Sequence, residues 1–368
     1  MNARDEGATA AQLKKEILQY LEALRSRQEC YPVSLVKARL KAAKLPTATG
    51  WPPLLVKYGE LSASRDRLIE CRDEARAIYL DSLLVGTRAV SIFDVEPKEA
   101  KIAAGEIGKF VDTTSEFSER FPLPLSDSKI RRASFNGVFC HVQVHPDGTT
   151  RVFVCSKRAF RKREAIDLNT LDGSARSALD GYDEVIGVRN GFVQAFDSIV
   201  FRPATGRVEV HIDMSCRLTR DDFAKARNFY TERLNAAFGE RFGNDKWLLL
   251  PRNFFPLIAK LYAEKDGFVS KLGHATTTNS IKEERMRGRK SDLRKEDFHL
   301  NGMEAIDGDT DEYSIRKGWL AKDEIRVPSL EISGHFSIAG GADSRVSYAV
   351  IDGCSDEVDF AMVLSKLD

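Results

Sequence analysis

GYDEVIGVRNGFVQAFDSIVFRPATGRVEVHIDMSCRLTRDDFAKARNFYTERLNAAF, residues 181–238, carries the strongest local signals in the chain. Asn190-Gly191 lies between two apolar-rich runs. That dipeptide predicts a tight hairpin, because a type I′ turn needs positive φ at both central residues. Phe192 to Phe201 is rich in β-branched and aromatic residues and predicts a strand. Pro203 and Gly206 mark a second turn. From Arg207 to Met214 the pattern alternates, with Val208, Val210 and Ile212 on one face and Glu209, His211 and Asp213 on the other. A helix follows. Thr219 is suited to the N-cap with Asp222 closing a capping box, and Phe223, Ala226, Tyr230, Leu234 and Ala237 recur at helical spacing. Gly239 supplies a stop. The stretch predicts a three-strand meander running into an amphipathic helix.

Just upstream, Gly137 to Val144 and Thr150 to Ser156 flank Pro146-Asp147-Gly148, a second hairpin signal. Joined to the meander, it predicts an antiparallel sheet of about five strands with the 219–238 helix on one face. Residues 1–120 read as mostly helical. Leu13, Ile17, Tyr20, Leu21 and Leu24 form one stripe, Ser34 and Trp51 open two short helices, and Ser64 opens a longer one closed by Gly86. Three short helices in succession allow a helix-turn-helix; otherwise this module is expected to dock a protein partner. TTSEFSERFPLPLSDS, residues 113–128, reads as a loop and places a domain boundary. Residues 129–368 are expected to form an antiparallel β core with helices, interrupted by a charged, partly mobile surface excursion over about 265–312. Strand signals return from Tyr313. The fold class is therefore α+β: a helical N-terminal module followed by a larger antiparallel β core decorated by helices.

The chain has 368 residues, 42% hydrophobic and 30% charged, with a net charge of +1. A packed core is possible, and a polycation is excluded; any nucleic-acid surface must come from local segregation of charge. The six cysteines are scattered without Cys-x-x-Cys spacing, which predicts free thiols and a reducing, cytoplasmic setting. No leader-like apolar region opens the sequence, and no run approaches the roughly 20 apolar residues of a membrane span, so no membrane association is expected.

Two basic clusters point to a polyanion. Lys157, Arg158, Arg161, Lys162 and Arg163 enclose Phe160, combining phosphate-seeking cations with a ring able to stack on a base. They directly follow a strand, so a loop or short helix at a sheet edge is expected to carry them. Arg287, Arg289 and Lys290 belong to a second cluster in which Gly288 opposes a helix, so a flexible arm is expected there. Acidic neighbours weaken both clusters; a solvated loop is the alternative for the first, and for the second, where the signs are mixed, a solvated charged face is the favoured reading.

The histidines show no metal-ligand spacing: His274, His299 and His335 stand alone, and no metal or cofactor is expected. Neither a Walker A loop, a G-x-G-x-x-G, a G-x-S-x-G nor an H-E-x-x-H occurs. One constellation remains. Asp197 on one strand, Glu209 and His211 on the next, and a following helix resemble the metal-binding layout of PD-(D/E)xK nucleases, with His211 where that pattern has lysine. The resemblance implies Mg²⁺ held by two carboxylates, and the departure at His211 removes the cation that would position water. A plain meander facing solvent explains the same residues. The sequence thus favours a non-catalytic, nucleic-acid-associated or scaffolding protein, for which a bacterial accessory role such as antiviral defence is one setting. A metal-dependent nuclease and a pure protein-interaction subunit are the alternatives.

Overall fold

Capping and periodicity translate directly into helices at the N-terminus. Thr9 caps α1 (Ala10–Ser26) through a reciprocal box with Gln12. Then follow α2 (Val33–Ala42), α3 (Trp51–Gly59) with prolines in its first turn, and α4 (Arg65–Val85) capped by Ser64. A computed structural model describes residues 8–216, 218–276, 278, 280–324, 326–341 and 343–368. The first strand, β1 (Arg88–Asp94), leads into α5 (Pro97–Glu106), and the short helices α6 (Glu116–Arg120) and α7 (Asp127–Arg132) precede β2 (Val138–Val144). Next come β3 (Thr150–Ile166), α8 (Gly173–Ala178), β4 (Val185–Arg202), β5 (Arg207–Asp213) and α9 (Arg220–Phe238). The remainder is α10 (Phe255–Ala263), β6 (Phe268–Thr276), β7 (Ile281–Arg285), α11 (Asp297–Glu304), β8 (Thr310–Gly318), β9 (Ser329–Ser333), β10 (Ala349–Asp352) and α12 (Glu357–Leu364).

The fold is α+β. All the strands above join one ten-stranded antiparallel sheet in the order β2-β3-β4-β5-β1-β10-β9-β8-β6-β7. The C-terminal strands complete the sheet that the central ones begin, so it is twice the expected width. β1 comes from the N-terminal third yet lies near the middle, between β5 and β10. The middle of the sheet is buried on both faces. On one, α1–α4, α10 and α12 pack over Phe153, Phe196, Val90, Ile315 and Ile332. On the other, α5 and α9 cover Val154, Ile199, Val208, Val210 and Ile212. Phe117, Leu125 and Ile130, from the stretch around the expected boundary, lie in the same core as the N-terminal helices.

Two expectations about local structure are overturned. Asn190-Gly191 is not a turn: both residues lie inside the 18-residue β4, paired with Arg161 and Phe160 of β3. Gly191 is required for space. A Cβ there would meet the Phe160 ring at 2.7 Å, so the ring lies over the glycine across the ladder. The charged excursion is also no surface loop. β6, β7, α11 and β8 occupy it, and their polar positions are satisfied laterally: Lys271 and Arg316 pair with Glu331, and Arg316 also pairs with Asp352 across four strands. Ser34 lies inside α2, behind the N-cap Pro32, rather than ahead of it, and α6 occupies part of the expected 113–128 loop. Other local signals hold. Thr219 and Asp222 form the capping box of α9, and Gly206 adopts φ +60 after a 3-10 turn at Pro203–Thr205.

Candidate nucleic-acid interface

β2 pairs with β3 only as far as Cys155, and β5 pairs with β4 only from Ser198 onward. β3 and β4 continue pairing with each other to Ile166 and Val185. The outer ten residues of each strand form a two-stranded ribbon with no further strand on either side among the described residues, about 33 Å long at 3.3 Å per residue. A loop carrying α8 closes its tip, and no residue from Ala159 to Val193 is buried.

The first basic cluster lies on this ribbon, on a strand rather than on the loop or helix expected. Its members have different fates. Lys157 and Arg158 are buried at the base. The Lys157 ammonium donates to the Arg131 carbonyl and sits between the rings of Phe135 and Phe192, 4.3 and 4.9 Å from their centroids. Arg158 is bound to Asp197 and to the Asp213 carbonyl. Both are structural pins. Further out, alternation separates two faces. Phe160, Lys162 and Glu164 share one with Arg189, and there Lys162 and Arg189 both pair with Glu164. Arg161 and Arg163 point the other way, alongside Asn190 and Phe192. They are exposed and make no ion pair among the described residues. Phe135 and Phe192 are 59% and 38% exposed and meet edge to face; Arg131 and Arg132, at the end of α7, are exposed close by. Sequence spacing gave no sign that α7 would join this face.

The second cluster is elsewhere. Arg287, Arg289 and Lys290 follow β7 at the opposite edge of the sheet from β2. The segment is a turn rather than a free arm: the Met286 amide donates to the Ser270 carbonyl, Ser291 closes on Gly288, and Lys290 donates to the Glu324 carbonyl. Eight strand spacings separate β3 from β7, roughly 40 Å at 4.8 Å per spacing. The two clusters do not build one surface.

The nuclease-like layout does not assemble. Ser198 pairs with His211 and Val200 with Glu209, so Glu209 and His211 share a face with Ser198, and Asp197 points to the opposite side of the sheet. Asp197 faces α9, where it accepts from the Tyr230 hydroxyl, Arg158 and the Asp213 amide. Glu209 accepts from Arg202 and from His211 Nε2. Burial works against its ionisation, but the hydrogen bond and charge of His211 and the Arg202 guanidinium outweigh it and hold the carboxyl at about 2. Burial pushes the His211 imidazole down, against the pull of Glu209. Asp213 accepts from Arg27 and from the amides of Phe196 and Ser215. Burial opposes its charge too, and the guanidinium groups of Arg27 and Arg88 keep it well below the usual carboxylate range. Asp197, Glu209, His211 and Asp213 are all buried, so the expected solvent-facing meander is absent as well.

The six cysteines are free and buried. Among the described residues no helix is long and apolar enough to cross a membrane. No protein-family model matches the chain, and no curated protein matches it in sequence.

Proposed function

We propose that this is a non-catalytic nucleic-acid-binding protein that holds its ligand along the β3–β4 ribbon, on the face of Arg161, Arg163 and Phe192. One observation carries the reading: Arg161 and Arg163 stand exposed, with no acidic partner among the described residues, beside exposed rings on an arm that extends past the rest of the sheet. Guanidinium groups bind phosphate in bidentate fashion and are weakly hydrated. The rings of Phe135 and Phe192 offer stacking platforms, which favour single-stranded or unpaired nucleotides. Lys157 contributes by fixing those rings rather than by meeting phosphate. Arg287, Arg289 and Lys290 lie too far away to share this site. The internal bonding of Asp197, Glu209 and His211 supports binding without cleavage.

A second reading has an observation of its own. The outer edges of the ribbon leave backbone N–H and C=O groups unpaired, and Ile186 and Val188 are exposed on β4. Such an edge can accept a strand from a protein partner.

Titration of a fluorescent oligonucleotide at several salt concentrations separates the two. Arg161→Ala with Arg163→Ala is expected to weaken binding across sequences and to lower the slope of log K against log salt by up to about two, one per phosphate contact. Phe192→Ala is expected to cost about 1–3 kcal/mol with single strands. Equal binding by wild type and the double variant at every salt concentration removes the ribbon from nucleic-acid binding and leaves strand pairing with a protein.

A further inference from the structure

Far from the ribbon, at the β6–β7 end of the sheet, three side chains from three elements converge. Leu272 of β6 pairs with Glu284 of β7, so His274, two residues on from Leu272, shares the face of Glu284. His299 reaches them from α11. His274 Nε2 lies 2.8 Å and His299 Nδ1 2.9 Å from the same Glu284 oxygen, and the three candidate ligand atoms all lie within 4.8 Å of one another. Both histidines are buried, while the Glu284 side chain is 21% exposed and gives the cluster its access to solvent. We infer that His274, Glu284 and His299 form a divalent transition-metal site of the zinc type.

The donor set matches that chemistry. Two imidazole nitrogens and one carboxylate suit Zn²⁺ or Co²⁺ and are a poor match for Mg²⁺ or Ca²⁺, which take oxygen ligands. Three protein ligands leave a tetrahedral ion one position for water or a further carboxylate, and Glu312 stands opposite His274 in the ladder. The outer shell is present on one side: the Tyr262 hydroxyl lies 2.7 Å from His299 Nε2. When Nδ1 binds metal, Nε2 carries the proton and donates it to that hydroxyl, which fixes the tautomer and the ring. His274 Nδ1 is buried with no hydrogen-bond partner among the described residues. The arrangement also has a structural rationale. α11 has only eight residues; an ion shared by β6, β7 and α11 ties that helix to the sheet edge, and its binding energy adds to folding.

The test uses the full chain, stripped with a chelator and titrated with Co²⁺ and then Zn²⁺. One equivalent of Co²⁺ is expected to bind with visible d–d absorption that Zn²⁺ displaces, and Zn²⁺ is expected to raise the melting temperature. His274→Ala and Glu284→Gln should abolish the stoichiometric site. Tyr262→Phe, which spares all three ligands, should keep it but weaken affinity by about tenfold or more. The ribbon variants should bind metal as wild type does. A wild-type chain that takes up no Co²⁺ or Zn²⁺ overturns the site and leaves a hydrogen-bonded triad; so does uptake that persists unchanged in His274→Ala and Glu284→Gln. Should those two variants fail to fold, wild-type stoichiometry and the Tyr262→Phe affinity decide the matter alone.

Discussion

Glu209 and Asp213 invert the usual expectation for acids on an alternating strand. The same polar positions that suggested a solvent-facing edge are covered by the N-terminal helices and α12, and their charges are retained because partners surround them. A buried pair is costly to break from one side, since the remaining charge has no water. Asp213→Asn leaves Arg27 and Arg88 in the core without their carboxylate and is expected to cost about 3–5 kcal/mol in urea unfolding. Glu209→Gln should cost about 1–3 kcal/mol, because Arg202 at its rim still reaches water. The pH dependence follows. Glu209 ionises at about 2 in the folded protein against an ordinary 4.5, so it stabilises the fold above pH 4.5 and that contribution, on the order of 3 kcal/mol, is lost as pH falls through 2. The depressed His211 has the same sign: its neutral buried form favours folding above its ordinary 6.5, and protonating it on acidification works against the fold. Urea midpoints should therefore fall below pH 6.5 in wild type, and between pH 4.5 and 2 they should fall less steeply in Glu209→Gln. Parallel curves for the two would contradict this account of the network.

The ribbon shows where local signals stop being informative. Thr219 and Asp222, Pro203 and Gly206, and the β2–β3 turn were all legible, because each feature is decided within a few residues of itself. Asn190-Gly191 misled because what decides its conformation is Phe160, thirty-one positions upstream, whose ring occupies the space above Gly191. The β6–β8 region was misread for a related reason: Lys271, Glu331, Arg316 and Asp352 look like solvated charges until the strands lie side by side. The His274–Glu284–His299 cluster was invisible from spacing, since its members are ten and fifteen positions apart on different elements. The basic composition of 157–163 was legible, but not that Lys157 and Arg158 turn inward. Proteolysis discriminates these readings. First cleavage is expected within 167–184, the exposed tip with no buried side chain. The 113–128 stretch should resist, because Phe117 and Leu125 are buried in the main core, and the strands of 281–318 should resist with it. Early cuts in either of those segments, with the tip intact, would contradict the topology.

One sheet runs through nearly the whole chain, and its two ends carry different side-chain chemistry. Around its middle, helices on both faces bury β1, β5 and the inner halves of β3 and β4. At one side the ribbon extends past that core; at the other, β6, β7 and α11 gather imidazoles around a carboxylate. With a net charge of +1, the molecule has no global attraction for polyanions, so the proposed binding rests on the ribbon and on the exposed guanidinium groups of Arg161 and Arg163. Replacing residues 160–191 with an Asn-Gly turn tests this most directly. That change keeps Phe192 against Lys157 and leaves Arg158 on Asp197, so the core retains its pins. The clipped chain is expected to melt within a few degrees of wild type, because the removed segment buries little. Its affinity for a single-stranded oligonucleotide, measured by fluorescence anisotropy, is expected to fall at least about tenfold with a flattened salt dependence. A folded, clipped chain that binds the oligonucleotide as tightly as wild type would contradict the assignment of the ribbon as the binding arm.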